Sequence, residues 1–373
     1  MKSAKKIAIV YDWVDKWGGV ERVLLALHSL FPEAPLFTSY YDKNQAKWAD
    51  NITIIPSFIN NLSVIKSNRI LSFFLFPFAF ENFNFSKYDI VISISSSFAK
   101  SIITKPGTLH VCYLLTPTRY LWVYPERYVS LAVRTLFSPL WKYLKTWDKI
   151  ASNRPDKLIS LSKIVSKRTL STYGKQTVIL YPPFDTEYWK KIKNNLNSSQ
   201  LFSKYKLPKT FFLTVSRLEP YKRTDLLIKT FNILKKELIV VGKGSQLNKL
   251  KDYAGNTIHF LKDLTDEELA FLYKHSQAIL MPQEEDFGYV ALEAQFMGCP
   301  IISYRKSGVN EIIIENKTGL LFSQQSVASI REVLERFDQI SYNLKRTTVK
   351  YGEDISKKFD ISIFRNKLLH ILQ

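Results

Sequence analysis

Short runs of β-branched and aromatic residues recur along the chain, and segments with apolar residues at helical spacing separate them. The first series of runs, at 7–11, 36–39, 52–56, 89–94, 109–114, 158–162 and 178–181, predicts strands. A second series follows at 211–216, 238–242, 258–260, 278–281 and 300–303. Amphipathic helices are predicted between them, most clearly at 20–30, 225–234 and 267–275. The strands are apolar throughout instead of alternating, which is the pattern of parallel strands covered by helices on both faces. Two such series predict two parallel α/β sheets. Between them, residues 185–207 follow Pro182-Pro183 and are rich in Asn, Ser and Lys, the composition of a linker. The expected division is a first domain at 1–184, a linker at 185–207 and a second domain at 208–345. A C-terminal helix near 355–373 is expected to pack back on the first domain. Open sheets of this kind, facing across a cleft, hold ligands at the carboxyl ends of their strands.

A length of 373 residues suits two domains better than one. With 46% apolar and 23% charged residues, the composition is that of a globular protein. Cys112 and Cys299 are the only cysteines and have no CxxC partner, so a disulfide framework is not expected and a reducing compartment is. The apolar run that begins at Ile7 is too short for a signal peptide, and the stretch at 70–80 has Pro77 inside it and is too short to span a bilayer. Neither a leader nor a transmembrane helix is expected.

The formal net charge is +20. The segment 127–168 holds ten basic and two acidic residues. Such an excess favours an anionic partner, whether nucleic acid, an acidic membrane surface or a phosphate-bearing substrate. A general richness in lysine, with solvated faces, accounts for it equally well.

The segment from Met281 to Pro300 carries the candidate chemistry. A strand ends near Met281, acidic residues follow, and a helix is predicted to begin about Gly288. Phe287, Gly288, Tyr289 and Val290 would then present backbone N–H groups at a helix N-terminus, a ready site for a diphosphate. Glu285 and Glu293 stand roughly 12 Å apart at most along a helix axis, so one could meet a ribose and the other a hexose. On spacing alone, the acids could equally serve the helix dipole. Upstream, Arg217 and Lys222 flank a strand-to-helix turn, where a planar fork and a compact cation can converge on one diphosphate. An ordinary basic turn explains that pair as well.

Together these segments resemble a known family. Glu285-Asp-Phe-Gly-Tyr-Val-Ala-Leu-Glu293, with Gly298 and Pro300 after it, resembles the EX7E signature of retaining GT-B glycosyltransferases. This is the GT4-type group that includes bacterial mannosyltransferases of polysaccharide and O-antigen assembly. Ser216-Arg217-Leu218 with Lys222 is similar to the family's donor-phosphate pair, and Val240-Val-Gly242-Lys-Gly244 to its next strand-end glycine turn. Gly18-Gly19-Val-Glu21 sits where the family has a loop over the donor. Leu109-His-Val-Cys-Tyr-Leu-Leu115-Thr-Pro-Thr-Arg119 resembles a mannosyltransferase segment whose histidine falls at Leu115, while Arg119 is retained. His110, in mid-strand, is expected to be structural.

The resemblance implies a GT-B fold of two Rossmann-like domains. It implies a retaining glycosyltransferase moving a hexose from a nucleotide sugar, with GDP-mannose favoured. Catalytic roles fall on Glu285, Arg217, Lys222 and Arg119. Donor binding falls on Gly18, Gly19, Gly242, Gly244, Phe287, Gly288, Tyr289, Val290 and Glu293. In the family the first glutamate contacts the donor sugar and the second holds the ribose. No Asp-x-Asp pair occurs, so no metal is expected, and no cofactor beyond the donor. The expected acceptor is a glycan or a polyprenyl-diphosphate-linked sugar at the cytoplasmic leaflet. Leu131, Leu136, Phe137, Leu140, Trp141, Leu144 and Trp147 interleave with Arg134, Lys142, Lys145 and Lys149 as on an interfacial helix, although a core-packed helix with a basic outer face fits too. Two rival readings stand: a catalytically weak or silent sugar-nucleotide-binding protein, because of Leu115, and a nucleic-acid-binding protein, for which no recognition motif is present and which is not expected.

Overall fold

The computed structural model describes residues 5–62, 75–127, 131–196 and 199–373. The chain divides into two compact units, Met1–Pro183 with Ser362–Gln373, and Phe184–Ile361.

The first unit is built on β1 (Ile7–Tyr11), β2 (Leu36–Thr38), β3 (Ile54–Pro56), β4 (Ile90–Ser95), β5 (Leu109–Leu114), β6 (Lys157–Ser160) and β7 (Val178–Ile179). They form one sheet in the order β3-β2-β1-β4-β5-β6-β7, every neighbouring pair parallel. The second unit holds β8 (Phe212–Val215), β9 (Leu238–Val241), β10 (Ile258–Leu261), β11 (Ile279–Met281), β12 (Ile301–Tyr304) and β13 (Gly319–Phe322). Their order is β10-β9-β8-β11-β12-β13, again all parallel. Both are doubly wound Rossmann-like sheets, as expected. Each reverses its direction of growth once, between β1 and β4 in the first unit and between β8 and β11 in the second. Crevices form at such switch points, beyond the carboxyl ends of the strands.

All twelve expected strands are present among the described residues, with ends shifted by at most two positions. β13 goes beyond the expectation. Its first residue is glycine, which reads locally as a turn, but a Cβ at Gly319 would lie 2.2 Å from the Ile301 carbonyl oxygen of the neighbouring strand. The absent side chain is what lets the edge strand approach.

Strands β4, β9, β11 and β13 are buried along their whole length, consistent with helices on both faces. In the second unit Phe212, Phe231, Val240, Leu280 and Phe337 share one core, to which the long helix Val327–Lys357 contributes.

Residues 185–207 are helical over Thr186–Asn194 and Ser199–Lys204 and belong to the second unit. The polar composition that reads as a linker hides an amphipathic face. Trp189 and Ile192 are buried, and Asp185 caps the helix by accepting from Tyr188 N. The second unit also runs past 345, because Val327–Lys357 is one continuous helix. The last helix, Ile361–Ile371, lies against the first unit: Phe364 meets Tyr113 at 6.1 Å, and Lys157 Nζ donates to the Ile371 carbonyl at 2.6 Å.

Of the apolar stretch 70–80, residues 70–74 lie outside the described residues. The rest begins the short helix Phe76–Glu81, which buries Phe76 and Phe80 and leaves Phe78 exposed. No helix among the described residues is long and apolar enough to cross a membrane. Cys112 and Cys299 are both buried free thiols, and burial pushes Cys112 up to about 12.

Candidate active site

In the second unit, Arg217 and Lys222 follow β8 and Glu285 follows β11, so the two motifs flank the switch point of the sheet. The fold brings them into contact. Lys222 Nζ donates to Glu285 Oε1, which also accepts from Gln283 Nε2 at 2.9 Å. Both side chains of the ion pair are mostly covered, at 12% and 21% exposure. The backbone of Glu285 is clamped as well. Its N–H donates to Ser307 Oγ at 3.1 Å, and its carbonyl accepts from Gly308 N at 2.7 Å.

The turn that carries the cations is tied down by the next loop. Leu218 N donates to the Lys243 carbonyl at 2.7 Å, and Gln246 N to the Leu218 carbonyl at 2.9 Å. Ser245 Oγ adds a 2.6 Å bond to Glu219. Such close backbone approach has a strict requirement. A Cβ at Gly242, where φ is +150°, would fall 1.9 Å from the Ser216 carbonyl oxygen, and one at Gly244 would fall 2.4 Å from that of Leu218. Gly242 and Gly244 thus hold the Arg217 loop in place. Arg217 itself donates to the Tyr221 hydroxyl at 2.7 Å, and Lys222 Nζ lies 5.3 Å from the centre of the same Tyr221 ring.

The expected helix begins at Tyr289 and ends at Phe296, with Gly288 as its N-cap at φ +108°. The N–H groups of its first turn, Tyr289 and Val290 among them, lie outside the intrahelical ladder. Phe287 is buried, with Tyr289 and Phe359 at ring distances of 5.7 and 5.4 Å. Glu293 is not a surface residue. It is 3% exposed, in a helix buried from Ala291 to Phe296, and the Tyr273 hydroxyl donates to it at 2.9 Å. Burying a carboxylate is costly without such a partner.

In the first unit, Gly19 is the N-cap of the helix Val20–Leu30, without a side-chain cap, and Glu21 turns back toward Gly18. Arg119 opens the short helix Arg119–Trp122 beyond β5. Leu115, at the end of β5, is half-buried, and its N–H donates to the Ser95 carbonyl at 2.8 Å. His110 is fully buried with Ser93 Oγ at 2.8 Å, and burial lowers it to about 3. A structural role fits.

The pattern of the sequence does not disclose Asp12. It sits at the end of β1, fully buried, at the switch point of the first sheet. Its carboxylate accepts from the N–H groups of Ser96, Phe98 and Ala99 at 2.6, 2.8 and 2.7 Å, gathering the turn after β4. Burial pushes this carboxyl above its usual range, offset in part by the Ala99 and Ser96 donors. The available signal was an acid that directly follows an apolar strand, paired with the serine-rich turn 95–97.

Comparison with known proteins meets this geometry. Residues 198–354, which hold both cations and both glutamates, match the family model for glycosyl transferases group 1. That match covers less than half of the chain. The chain is 25% identical over 217 residues to a glycosyltransferase of Methanocaldococcus jannaschii, and spans 57% of that relative's length and of its own. It is 22% identical over 336 residues to an alpha-1,3/1,6-mannosyltransferase of Dictyostelium discoideum, covering 78% of this chain and 76% of the other. Among solved structures, the Anabaena protein HepE, in complex with UDP-glucose, superposes with a TM-score of 0.72 at 16% identity over 99% of each chain. That likeness places the two Rossmann-like units in the GT-B fold. The group 1 match and these relatives support the expected enzyme class, a glycosyltransferase.

Proposed function

We propose that the chain is a retaining glycosyltransferase that moves a hexose, with mannose favoured, from a nucleotide sugar to a glycan or lipid-linked acceptor in cell-surface polysaccharide synthesis. The observation that carries this reading is the meeting of Lys222 and Glu285 at the switch point of the second sheet, where a helix N-terminus also opens. In this reading Arg217 and Lys222, with the backbone N–H groups of 287–290 around the helix start, make up an anion site suited to a diphosphate. Glu285 receives the donor hexose, and Glu293, held by Tyr273, serves the ribose end. Gly18, Gly19 and Arg119, all in the first unit, are the further site residues that the family resemblance implies. The bond from the anomeric carbon to the leaving phosphate oxygen breaks as the acceptor oxygen bonds to that carbon on the same face. The departing phosphate takes the acceptor proton, and the cations stabilise its charge. No divalent ion is needed in this scheme.

The mannosyltransferase among the relatives supports mannose, whereas HepE is a protein solved with UDP-glucose, so both donors belong in the test. Thermal shift and turnover with GDP-mannose and UDP-glucose are to be measured on the wild type and on Glu285→Ala. The expectation is stabilisation of the wild type by one donor, which it consumes and the variant does not. A donor that stabilises both proteins equally and is never consumed supports instead the silent sugar-nucleotide-binding protein that Leu115 favours.

The acceptor side of the reading is a peripheral one, at the cytoplasmic face of an anionic membrane. Along 131–151 the structure separates two sets of apolar residues. Leu144 and Trp147 enter the core, while Leu131, Leu136, Phe137, Tyr143 and Ile150 are exposed beside Lys142 and Lys149. Asp148, the only acid in that stretch, is buried. An exposed apolar and basic surface of this kind suits anionic headgroups.

A further inference from the structure

The first unit contains a buried ion pair to which the scheme above gives no role. Lys100 and Asp148 have fully covered side chains, with Nζ 2.6 Å from Oδ1. A buried pair recovers its desolvation cost only where the remaining lone pairs and protons are satisfied. Asp148 Oδ1 also accepts from the Thr118 hydroxyl at 2.7 Å, and Oδ2 accepts from Trp122 Nε1 and the Tyr173 hydroxyl, each at 2.7 Å. Lys100 Nζ further donates to Thr118 Oγ1 at 3.1 Å and to the Ser97 carbonyl. Tyr173, while donating to Asp148, accepts from Thr118 N at 3.3 Å.

These bonds converge on residues 118 and 122, which bracket Arg119. The helix Arg119–Trp122 is a single turn, and Thr118 gives it no side-chain cap. One turn of helix has no stability of its own, because nucleation costs more than its first bonds return. The place of Arg119 is set by the buried Tyr120 and Leu121 and by polar tethers at both ends of the turn, and both tethers lead to one carboxylate. At its other end the network joins the turn 96–99, which Asp12 gathers, so buried polar contacts run from the switch point of the sheet to Trp122. Stability alone does not call for an ion pair here, since apolar replacements of similar volume are often as stable.

We propose that Asp148, itself oriented by Lys100, is a positioning residue for Arg119. This rests on the reading of Arg119 as part of the reacting site. Thr118→Val and Trp122→Phe each remove one tether and leave the ion pair intact. Thr108→Val serves as the control, because it removes a buried hydroxyl bond of the same kind, to the Tyr88 carbonyl at 2.8 Å, just before β5. Turnover of GDP-mannose and UDP-glucose and the melting temperature are measured for each variant, alone and on an Arg119→Ala background. The expected result is similar losses of melting temperature in all three. kcat/KM should fall about tenfold to a hundredfold in Thr118→Val and Trp122→Phe and stay within about twofold in Thr108→Val. On Arg119→Ala, Thr118→Val should cost nothing further, as coupled sites are non-additive. Tether variants that behave like Thr108→Val, or that lose as much on the Arg119→Ala background, overturn the proposal while the reading of Arg119 survives. An Arg119→Ala variant with undiminished turnover removes that reading and the proposal with it.

Discussion

Lys222 Nζ donates to Glu285 Oε1 across sixty-three residues of chain, joining the turn after β8 to the turn after β11. Each turn alone is open to an ordinary reading. Their contact is not, because it sets a cation and a carboxylate at the one place where this sheet reverses. Gln283 donates to the same Glu285 oxygen at 2.9 Å and helps to hold that carboxylate in place.

Neutralising either member separates the chemical role from the structural one. Lys222→Met and Glu285→Gln are each expected to cost about 1–3 kcal/mol of stability, because each leaves a mostly covered charge without its partner. Turnover is expected to fall by about two to three orders of magnitude, the usual effect of removing a group that stabilises developing charge. Urea denaturation beside initial-rate kinetics makes the comparison. Matching losses in both would assign the pair to structure.

Gly242→Ala forces a Cβ onto the Ser216 carbonyl oxygen, 1.9 Å away, at a φ of +150°. Something must shift, and the nearest movable part is the Arg217 turn. The expected cost is about 1–3 kcal/mol, accompanied by a rise in donor KM. Gly255→Ala is the comparison: its Cβ crowds Asn232 Oδ1, whose side chain is bonded to Gly255 N and the Tyr253 carbonyl, so stability should fall while KM stays unchanged.

His110 predicts a pH dependence of stability. Burial lowers its pKa from 6.5 to about 3, so at mildly acid pH the unfolded chain takes up a proton that the folded one refuses. Stability from this group is fully present above pH 6.5 and is lost as pH falls toward 3. The difference is of the order of 5 kcal/mol. His110→Gln should flatten that limb of a stability profile measured by urea titration between pH 7 and pH 4. A profile as steep as that of the wild type would show that another group is responsible.

Exposed Leu136 and Phe137 beside Lys142 and Lys149 predict binding to anionic vesicles. Flotation with phosphatidylglycerol-containing liposomes should bring the protein up at low salt and progressively less at high salt, because screening weakens the attraction. A Leu136→Glu, Phe137→Glu double variant should stay at the bottom while keeping the wild-type melting temperature. Absence of the wild type from the floating fraction at every salt concentration sinks the membrane part of the proposal.

The legible part of this protein was the part that local pattern encodes. Apolar runs of strand length marked twelve strands, and the turns after β8 and β11 stood out by their charges. The linker at 185–207 misled because, among the described residues, its buried apolar side chains are Trp189 and Ile192, too few to outweigh its Asn and Ser content. Asp12 and Asp148 looked like any charged residue at the edge of an apolar run or on a basic helix.

What the sequence by itself determined is the kind of each element and the motifs at its ends, since these follow from spacing within one strand or turn. Only the tertiary structure decided which motif meets which: Lys222 with Glu285, Tyr273 with Glu293, and Asp148 with the turn around Arg119. The physical reason is that a hydrophobic period says which face of an element is covered and nothing about what covers it. A buried polar group declares its role only through its partner. Those partners lie 20 to 63 residues away in the chain, brought to hydrogen-bond distance by the order of strands in each sheet.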